Sequence, residues 1–130
     1  MSELEIKTRD DRTSFLPGEE LNGEVRWLLD SPGQIELRLF WRTEGKGTKD
    51  VKVVEQINFD NPRRQESREF RFQLPEGPYS FSGKLISLIW ALELIVTSTD
   101  ETERLEIVIS PTNSEILLYG GQPAFPASGA

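Results

Sequence analysis

The sequence contains no cysteine and no histidine among its 130 residues. The first absence excludes disulfides, thiolate metal sites and thiol nucleophiles, and the second excludes the commonest general base and metal ligand. Most acid-base and nucleophilic mechanisms use one of these two side chains. We therefore expect a protein that is not an enzyme and that holds no metal or cofactor.

Basic residues are also few, since 15 Lys and Arg stand against 22 Asp and Glu and give a formal net charge of -7. Non-specific binding to nucleic acid depends on clustered Lys and Arg, so no nucleic-acid partner is expected. The longest apolar run, Leu85 to Val96, is interrupted by Ser87 and Glu93 and is shorter than the roughly 20 residues of a membrane helix. We expect no integral membrane segment, and the absence of secretory-signal features after Met1 favours the cytoplasm.

What the sequence does contain is apolar content for one core, with 36% hydrophobic residues, three Trp and seven Phe. A chain of this length is expected to form one folding unit. Turn residues recur at short intervals, and the β-rich runs between them are typical of an all-β sandwich. The predicted strands are Glu3 to Thr8, Glu20 to Leu29, Gln34 to Glu44, Val51 to Phe59, Ser67 to Leu74, Lys84 to Thr97 and Glu103 to Ile109.

Alternation within these strands predicts which side chains are buried, because successive side chains point to opposite faces of a sheet. All three tryptophans fall on predicted core faces. The predicted core positions are Val25, Trp27, Leu29, Ile35, Leu37, Leu39, Trp41, Phe70, Phe72, Leu74, Ile86, Leu88, Trp90, Leu92, Leu94, Val96, Leu105, Ile107 and Ile109. The pattern predicts an all-β fold in which two antiparallel sheets form a β-sandwich.

The opposite strand faces carry more apolar side chains than a fully solvated surface would. The outward positions in question are Leu28, Phe40, Ile89 and Ile95, interleaved with Arg26, Arg38, Arg42 and Glu93. Either another part of the chain covers these side chains or they form a contact surface for a partner. For Glu93, which interrupts an apolar strand, Arg38 or Arg42 is the expected cross-strand partner.

The composition changes after residue 110, which divides the chain into a domain of residues 1-110 and a C-terminal tail or arm of residues 111-130. The tail contains one apolar segment, Glu115-Ile116-Leu117-Leu118-Tyr119. This segment is expected to add a strand to a sheet edge or to lie across the outer face, so Leu117 and Tyr119 are candidate contact residues. Residues from Gln122 onward are expected to be poorly ordered unless a neighbour holds them.

The segment Gly45-Lys46-Gly47-Thr48 is rich in glycine but lacks the earlier glycine and the following helix of a phosphate-binding loop. Two β-rich runs flank it, which favours a hairpin loop. Lys46 at its tip is a candidate contact residue.

Two corners of the chain carry a resemblance to a known family. Phe15-Leu16-Pro17-Gly18-Glu19-Glu20-Leu21-Asn22-Gly23-Glu24-Val25 is similar to the early corner of arrestin-like domains. Leu74-Pro75 through Gly77-Pro78-Tyr79-Ser80-Phe81-Ser82-Gly83, with the strand to Trp90, is similar to their late corner. The chain resembles the small single-domain arrestin-like proteins of bacteria, including the sporulation-control type.

This resemblance implies an immunoglobulin-like sandwich that binds or scaffolds other proteins without chemistry. The buried charged cluster with which eukaryotic arrestins sense phosphate has no residue-by-residue match in this sequence, so phosphate sensing is not carried over.

The sequence therefore leaves two hypotheses of function. The first is a non-enzymatic protein-binding or scaffolding module whose partner is a protein, including a second copy in a homo-oligomer. Its candidate contact residues are Leu28, Arg38, Phe40, Arg42, Lys46, Ile89, Glu93, Ile95, Leu117 and Tyr119. The second is a carbohydrate- or small-ligand-binding sandwich, which requires a tryptophan exposed on a concave surface.

Overall fold

The computed structural model describes residues 1–45, 49–83, 85–112, 116–119 and 122–123, the last two segments by their backbone. These residues form strands β1 (Glu3–Thr8), β2 (Ser14–Phe15), β3 (Glu20–Leu28), β4 (Ile35–Gly45), β5 (Val51–Phe59), β6 (Gln65–Gln73), β7 (Phe81–Ser82), β8 (Ile86–Val96), β9 (Glu101–Ile109), β10 (Ile116–Tyr119) and β11 (Gln122–Pro123). A short 3₁₀ turn, Arg9–Asp11, follows β1. Each of the seven strands predicted from the sequence is present, with bounds that differ by at most two residues.

The strands form two sheets, which confirms the predicted all-β sandwich. The small sheet has the order β1-β3-β6, and the large sheet has the order β11-β10-β7-β8-β4-β5, with β9 also on β8 and β2 on β9. β8 pairs with β4 along one edge. Along its other edge, residues Trp90–Val96 of β8 pair with β9, and residues Ser87 and Leu88 pair with β7. The long pairings are antiparallel as predicted, whereas β2 with β9 and β10 with β7 are short parallel pairings.

The core lies between the sheets and is built from the alternating positions that the sequence predicts. Trp27 and Trp90 are both buried. The Trp27 indole N–H donates to the Arg63 carbonyl at 2.8 Å, and the Trp90 indole N–H donates to the Pro78 carbonyl at 2.8 Å. A buried indole with a satisfied N–H is a stable packing element. The other predicted core positions that are buried are Val25, Leu29, Ile35, Leu37, Leu39, Phe70, Phe72, Leu74, Leu88, Leu92, Leu94, Val96, Ile107 and Ile109.

Three predicted core positions are less buried than expected. Ile86 is 37% exposed because it is the first residue of β8, four positions before the part of that strand that β9 pairs with. Trp41 and Leu105 are half-buried and pack against the margin of the core. Alternation gives the direction of a side chain but not how far the opposite sheet extends over it.

The C-terminal strand β10 pairs with β7, with Ile116 opposite Phe81 and Leu117 opposite Ser82. Of the two placements expected for the apolar tail segment, this is the addition of a strand to a sheet edge. The boundary between domain and tail stays a prediction. The sequence predicts poor order from Gln122 onward, but Gln122–Pro123 form the short strand β11, which pairs with β10. Residues 124–130 lie outside the described residues.

Candidate functional site

The candidate contact residues lie on two different faces of the sandwich. Leu28 is on the outer face of the small sheet, on β3. On the large sheet lie Arg38, Phe40, Arg42, Ile89, Glu93 and Ile95. Lys46 lies outside the described residues, and Leu117 and Tyr119 are described by their backbone alone. From the sequence these outward residues are expected to form one face, but they belong to the outer faces of two different sheets. Alternation shows which side of a strand a residue lies on, but it does not show which sheet the strand joins.

Strand pairing gathers apolar side chains on the outer face of the large sheet. Phe40 lies opposite Val53 of β5 on one side and Ala91 of β8 on the other, and the next outward row brings Ile89 alongside. We call Phe40, Val53, Ile89 and Ala91 the apolar band. Val53 is 44% exposed, so the band is accessible on its β5 side.

An arginine side chain covers the centre of the apolar band. The guanidinium carbon of Arg104 lies 5.0 Å from the centroid of the Phe40 ring, in the geometry of a cation–π contact. Phe40 and Ile95 are only 4% and 7% exposed although both point outward. A partner would reach Phe40 only after the Arg104 side chain moved, so in this structure the accessible part of the band lies nearer to β5.

Ion pairs hold the arginines of this face in place. Arg104 pairs with Glu93 at 2.9 Å, which replaces the predicted Arg38 or Arg42 as the partner of Glu93. The register sets Glu93 opposite both Arg38 on β4 and Arg104 on β9, so the sequence prediction had the right neighbour but not the pair that forms. Arg38 instead pairs with Glu36 on its own strand at 2.8 Å.

Arg42 lies in the next row of the same face. It bonds Glu44 at 3.0 Å and Glu106 at 2.9 Å, and one of its terminal nitrogens is buried with no hydrogen-bond partner in the described part of the chain. The aliphatic part of the Arg42 side chain therefore packs across the face, while its guanidinium group is held by the carboxylates of Glu44 and Glu106.

The outer face of the small sheet holds a shallow groove of about 540 Å³. The outward side chains that line it are Glu3, Glu5, Arg26, Leu28, Gln65 and Ser67. Trp27 lies beneath the groove but is buried, and Trp41 is half-buried against the core. The carbohydrate hypothesis requires an indole exposed on a concave surface, and neither Trp27 nor Trp90 provides one because both are buried.

The two corners that carry the family resemblance pack on each other at one end of the sandwich. The Gly18 N–H donates to the Pro75 carbonyl at 3.2 Å, and the Leu74 N–H donates to the Glu19 carbonyl at 3.0 Å. Gly18 has a φ of 77°, and a Cβ at this position would contact the Glu76 carboxylate. Glycine is therefore the residue that this turn accepts.

Glu19 anchors the early corner electrostatically. Its carboxylate accepts hydrogen bonds from the Arg12 guanidinium at 3.1 Å and from the Leu16 N–H at 2.8 Å. Both bonds stabilise the charged form and hold the pKa of Glu19 below its ordinary value. Because the folded-state pKa is lowered, this contribution to stability is present above about pH 4.5 and is lost as the pH falls through the lowered pKa.

We expect the wild-type protein to lose more of its free energy of unfolding than Glu19→Gln does when the pH falls from about 5 to about 3, because only the wild type loses this charge. Urea unfolding followed by circular dichroism at each pH measures the difference. Glu69→Gln, on the outer face of the small sheet, is the control and should track the wild type. Parallel pH profiles for Glu19→Gln and the wild type would show that the corner is not held by this charge.

Residues 1–45, 49–83 and 85–112 contain no group of three or more Asp or Glu side chains placed to hold a metal ion. In the same part of the chain, no helix is both long and apolar enough to cross a membrane.

Comparison with known proteins places the fold. Neither a protein-family model nor the sequence of a curated protein matches the chain. The sporulation control protein Spo0M from Bacillus subtilis is similar in structure, with a TM-score of 0.59 and 19% sequence identity, over 84% of this chain and 49% of that one. The chain thus spans about half the length of Spo0M.

Two longer proteins are similar over small parts of their length. The alkylpurine DNA glycosylase AlkC of Pseudomonas fluorescens matches 84% of this chain with 30% of its own, at 10% identity and a TM-score of 0.43. A β-glucosidase from Listeria innocua matches 84% of this chain with 16% of its own, at 18% identity and a TM-score of 0.43. Likeness at this level carries no functional meaning for the chain. The strand order, the packing of the two corners and the structural similarity to Spo0M together show that this chain has the arrestin-like sandwich fold of that bacterial sporulation control protein.

Proposed function

We propose that this domain is a non-enzymatic protein-binding module that receives its partner on the outer face of the large sheet. The supporting observation is the apolar band, which has an exposed side at Val53 and a margin of ion-paired arginines. On the small sheet, the outward positions of β1, β3 and β6 are polar apart from Leu28. Apolar surface with a polar rim is typical of protein contact sites.

The partner is expected to cover the face rather than to extend the sheet from β5. The register between β4 and β5 shifts between Leu39 and Phe40, which marks a bulge in the edge strand. Lys52 and Glu55 lie opposite Trp41 and Leu39, on the core-facing side of β5. Bulges and inward charges on an edge strand are features that oppose the addition of a further strand.

We also propose that two copies of the domain associate with each other through the same face. The charges of the face nearly cancel, because Arg38, Arg42 and Arg104 are paired with Glu36, Glu44, Glu93 and Glu106. Two copies can therefore bring these faces together without the repulsion that the overall charge of -7 would cause.

We expect Val53→Glu to abolish this self-association, because it places a carboxylate in the accessible part of the apolar band. Light scattering over a range of concentrations should show a mass that rises toward a dimer for the wild type and stays monomeric for Val53→Glu. Gln56→Glu is the matched control, since it adds the same charge to the outer face of β5 without removing an apolar side chain.

The same pair of variants tests binding to a different protein. A partner captured from an extract of the host should be retained by the wild type and by Gln56→Glu and lost by Val53→Glu. Equal retention by all three proteins would contradict the assignment of this face, and a monomeric wild type at every concentration would remove self-association from the proposal.

A further inference from the structure

The largest side chain of the apolar band is covered although it points outward. Phe40 is only 4% exposed, and the guanidinium carbon of Arg104 lies 5.0 Å from the centroid of its ring. Arg38 and Arg42, on the same face, instead bond carboxylates of their own strand. Arg104 is therefore the arginine whose position decides whether the Phe40 ring is open to a partner.

The Arg104 side chain crosses a neighbouring strand to reach this ring. β9 and β4 lie on opposite sides of β8, so their backbones are roughly 10 Å apart. The residue of β8 directly opposite Phe40 is Ala91, which is fully buried. Because the alanine side chain is a single methyl group, the face has room there for an arginine to lie flat between the two outer strands.

Weak contacts hold Arg104 in this place. Its guanidinium bonds the Glu93 carboxylate at 2.9 Å and lies over the Phe40 ring. The Arg104 side chain is still 44% exposed, so water reaches it from outside. A cation–π contact and an ion pair at such a site are each worth little in water. Arg104 can therefore leave the ring at a modest cost.

Glu93 has a second arginine within reach. The register sets Arg38 directly opposite it on β4, where paired residues have Cβ atoms about 5 Å apart. Arg38 bonds Gln56 through Nε at 3.2 Å and Glu36 through Nη2 at 2.8 Å, so its Nη1 has donors to offer. The Glu93 side chain is only 16% exposed, and a carboxylate so buried is costly without a cation. When Arg104 leaves, Arg38 can supply that cation.

We propose that Arg104 is a gate on the protein-binding face, an inference that rests on the function proposed above. In the closed arrangement, which this structure has, Arg104 lies on Phe40 and bonds Glu93. In the open arrangement Arg38 bonds Glu93, Arg104 turns away, and the accessible surface extends from Val53 onto the Phe40 ring. The partner binds the open arrangement.

The gate has two consequences for the domain. In the free protein it keeps an aromatic ring out of water and so limits the exposed apolar patch. It also lowers the apparent affinity of the face, because only the fraction of molecules with an open gate can bind. Removing the gate is therefore expected to tighten association, which is the opposite of what the loss of an ordinary contact residue does.

Arg104→Thr is the direct test on the full chain. Light scattering over a range of concentrations should give a dimer dissociation constant about ten-fold lower than that of the wild type. Arg38→Thr is the matched control, because it removes the same charge from the same face without uncovering Phe40, and it should not tighten the dimer. Glu93→Gln, which loosens Arg104 without removing it, should tighten the dimer by about three-fold and serves if Arg104→Thr does not fold.

A hydrophobic dye tests the gate without any partner. Anilinonaphthalene sulfonate should fluoresce at least about two-fold more strongly with Arg104→Thr than with the wild type, because the dye binds exposed apolar surface. The dye is an anion, so the loss of a positive charge alone would weaken its binding. Combining Arg104→Thr with Phe40→Thr should return the signal to that of the wild type. Circular dichroism confirms that each variant is folded.

Two outcomes would overturn the gate. The first is equal tightening by Arg104→Thr and Arg38→Thr, which would be an effect of charge alone. The second is an Arg104→Thr protein whose dimer and dye signal both match the wild type. Failure of the contact face itself looks different: no variant would associate, yet the dye signal would still rise with Arg104→Thr and fall again with Phe40→Thr. That result would support the cover over Phe40 and reject the face as a binding site.

Discussion

Trp90→Ala is expected to lower the free energy of unfolding by about 4 kcal/mol, the cost typical of removing a large buried aromatic side chain. Trp90 is fully buried between the sheets, and its register places it between Trp41 of β4 and Ile107 of β9. The substitution leaves a cavity and also strands the Pro78 carbonyl, which accepts the indole N–H at 2.8 Å. Since domains of this size have about 5–15 kcal/mol in total, the variant should be close to unfolding at room temperature.

Urea unfolding followed by far-UV circular dichroism measures this loss, and two variants separate its causes. Trp90→Phe keeps most of the ring and removes the donor, so it should cost about 1–2 kcal/mol. Trp41→Ala removes an indole that is only half-buried, so it should cost less than Trp90→Ala. If the two alanine variants were equally stable, the centre of the core would not lie at Trp90.

Gly23→Ala should cost about 2 kcal/mol, although it adds a single methyl group to a residue of β3. A Cβ at Gly23 would contact the Lys7 carbonyl of β1 and would lie 2.6 Å from the Phe70 ring. The ring can move by a small rotation, but the carbonyl is part of the pairing between β1 and β3, which runs from Glu3 opposite Leu28 to Thr8 opposite Gly23. The expected result is therefore a displaced β1 and a lower urea midpoint.

Asn22→Ala is the matched control for this substitution. Asn22 is the preceding residue of β3, and its side chain bonds only the exposed Glu20 among the described residues, so its loss should change stability by less than about 0.5 kcal/mol. Gly23→Ala combined with Phe70→Leu should relieve the clash with the ring but not the one with the carbonyl. Full recovery in that double variant would show that the backbone contact is unimportant.

The architecture could be predicted from the sequence because the long strands have strict alternation and clear turn residues at both ends. β1 and β5 have the predicted bounds, and β8 begins two residues late. β2 and β7 could not be predicted, since two residues are too few to show a period. Their positions depend on the pairing of β2 with β9 and of β7 with β8, which local sequence does not encode.

The candidate contact surface was only partly predictable. The outward direction of Phe40 follows from alternation, but its burial depends on Arg104, which is 64 residues away in the sequence and two strands away in the sheet. The partner of Glu93 depends on the same strand β9. Leu85 and Ile86 were part of one long apolar run, and the register of β8 against β4 sets Ile86 opposite the last residue of β4, at the exposed end of the sheet. Such facts require the register of the strands, which a single sequence leaves open.

The place of β8 in the large sheet also bears on how the chain is synthesised. The three strands of the small sheet have all left the ribosome once Gln73 has emerged, yet β8, which lies between β4 and β9 in the facing sheet, ends only at Val96. Until β8 emerges, the nascent chain exposes hydrophobic surface that is not fully covered, a state that attracts chaperones and promotes aggregation. Closure of the core must therefore wait until β8 has emerged, so the small sheet is synthesised well before the sandwich can be completed.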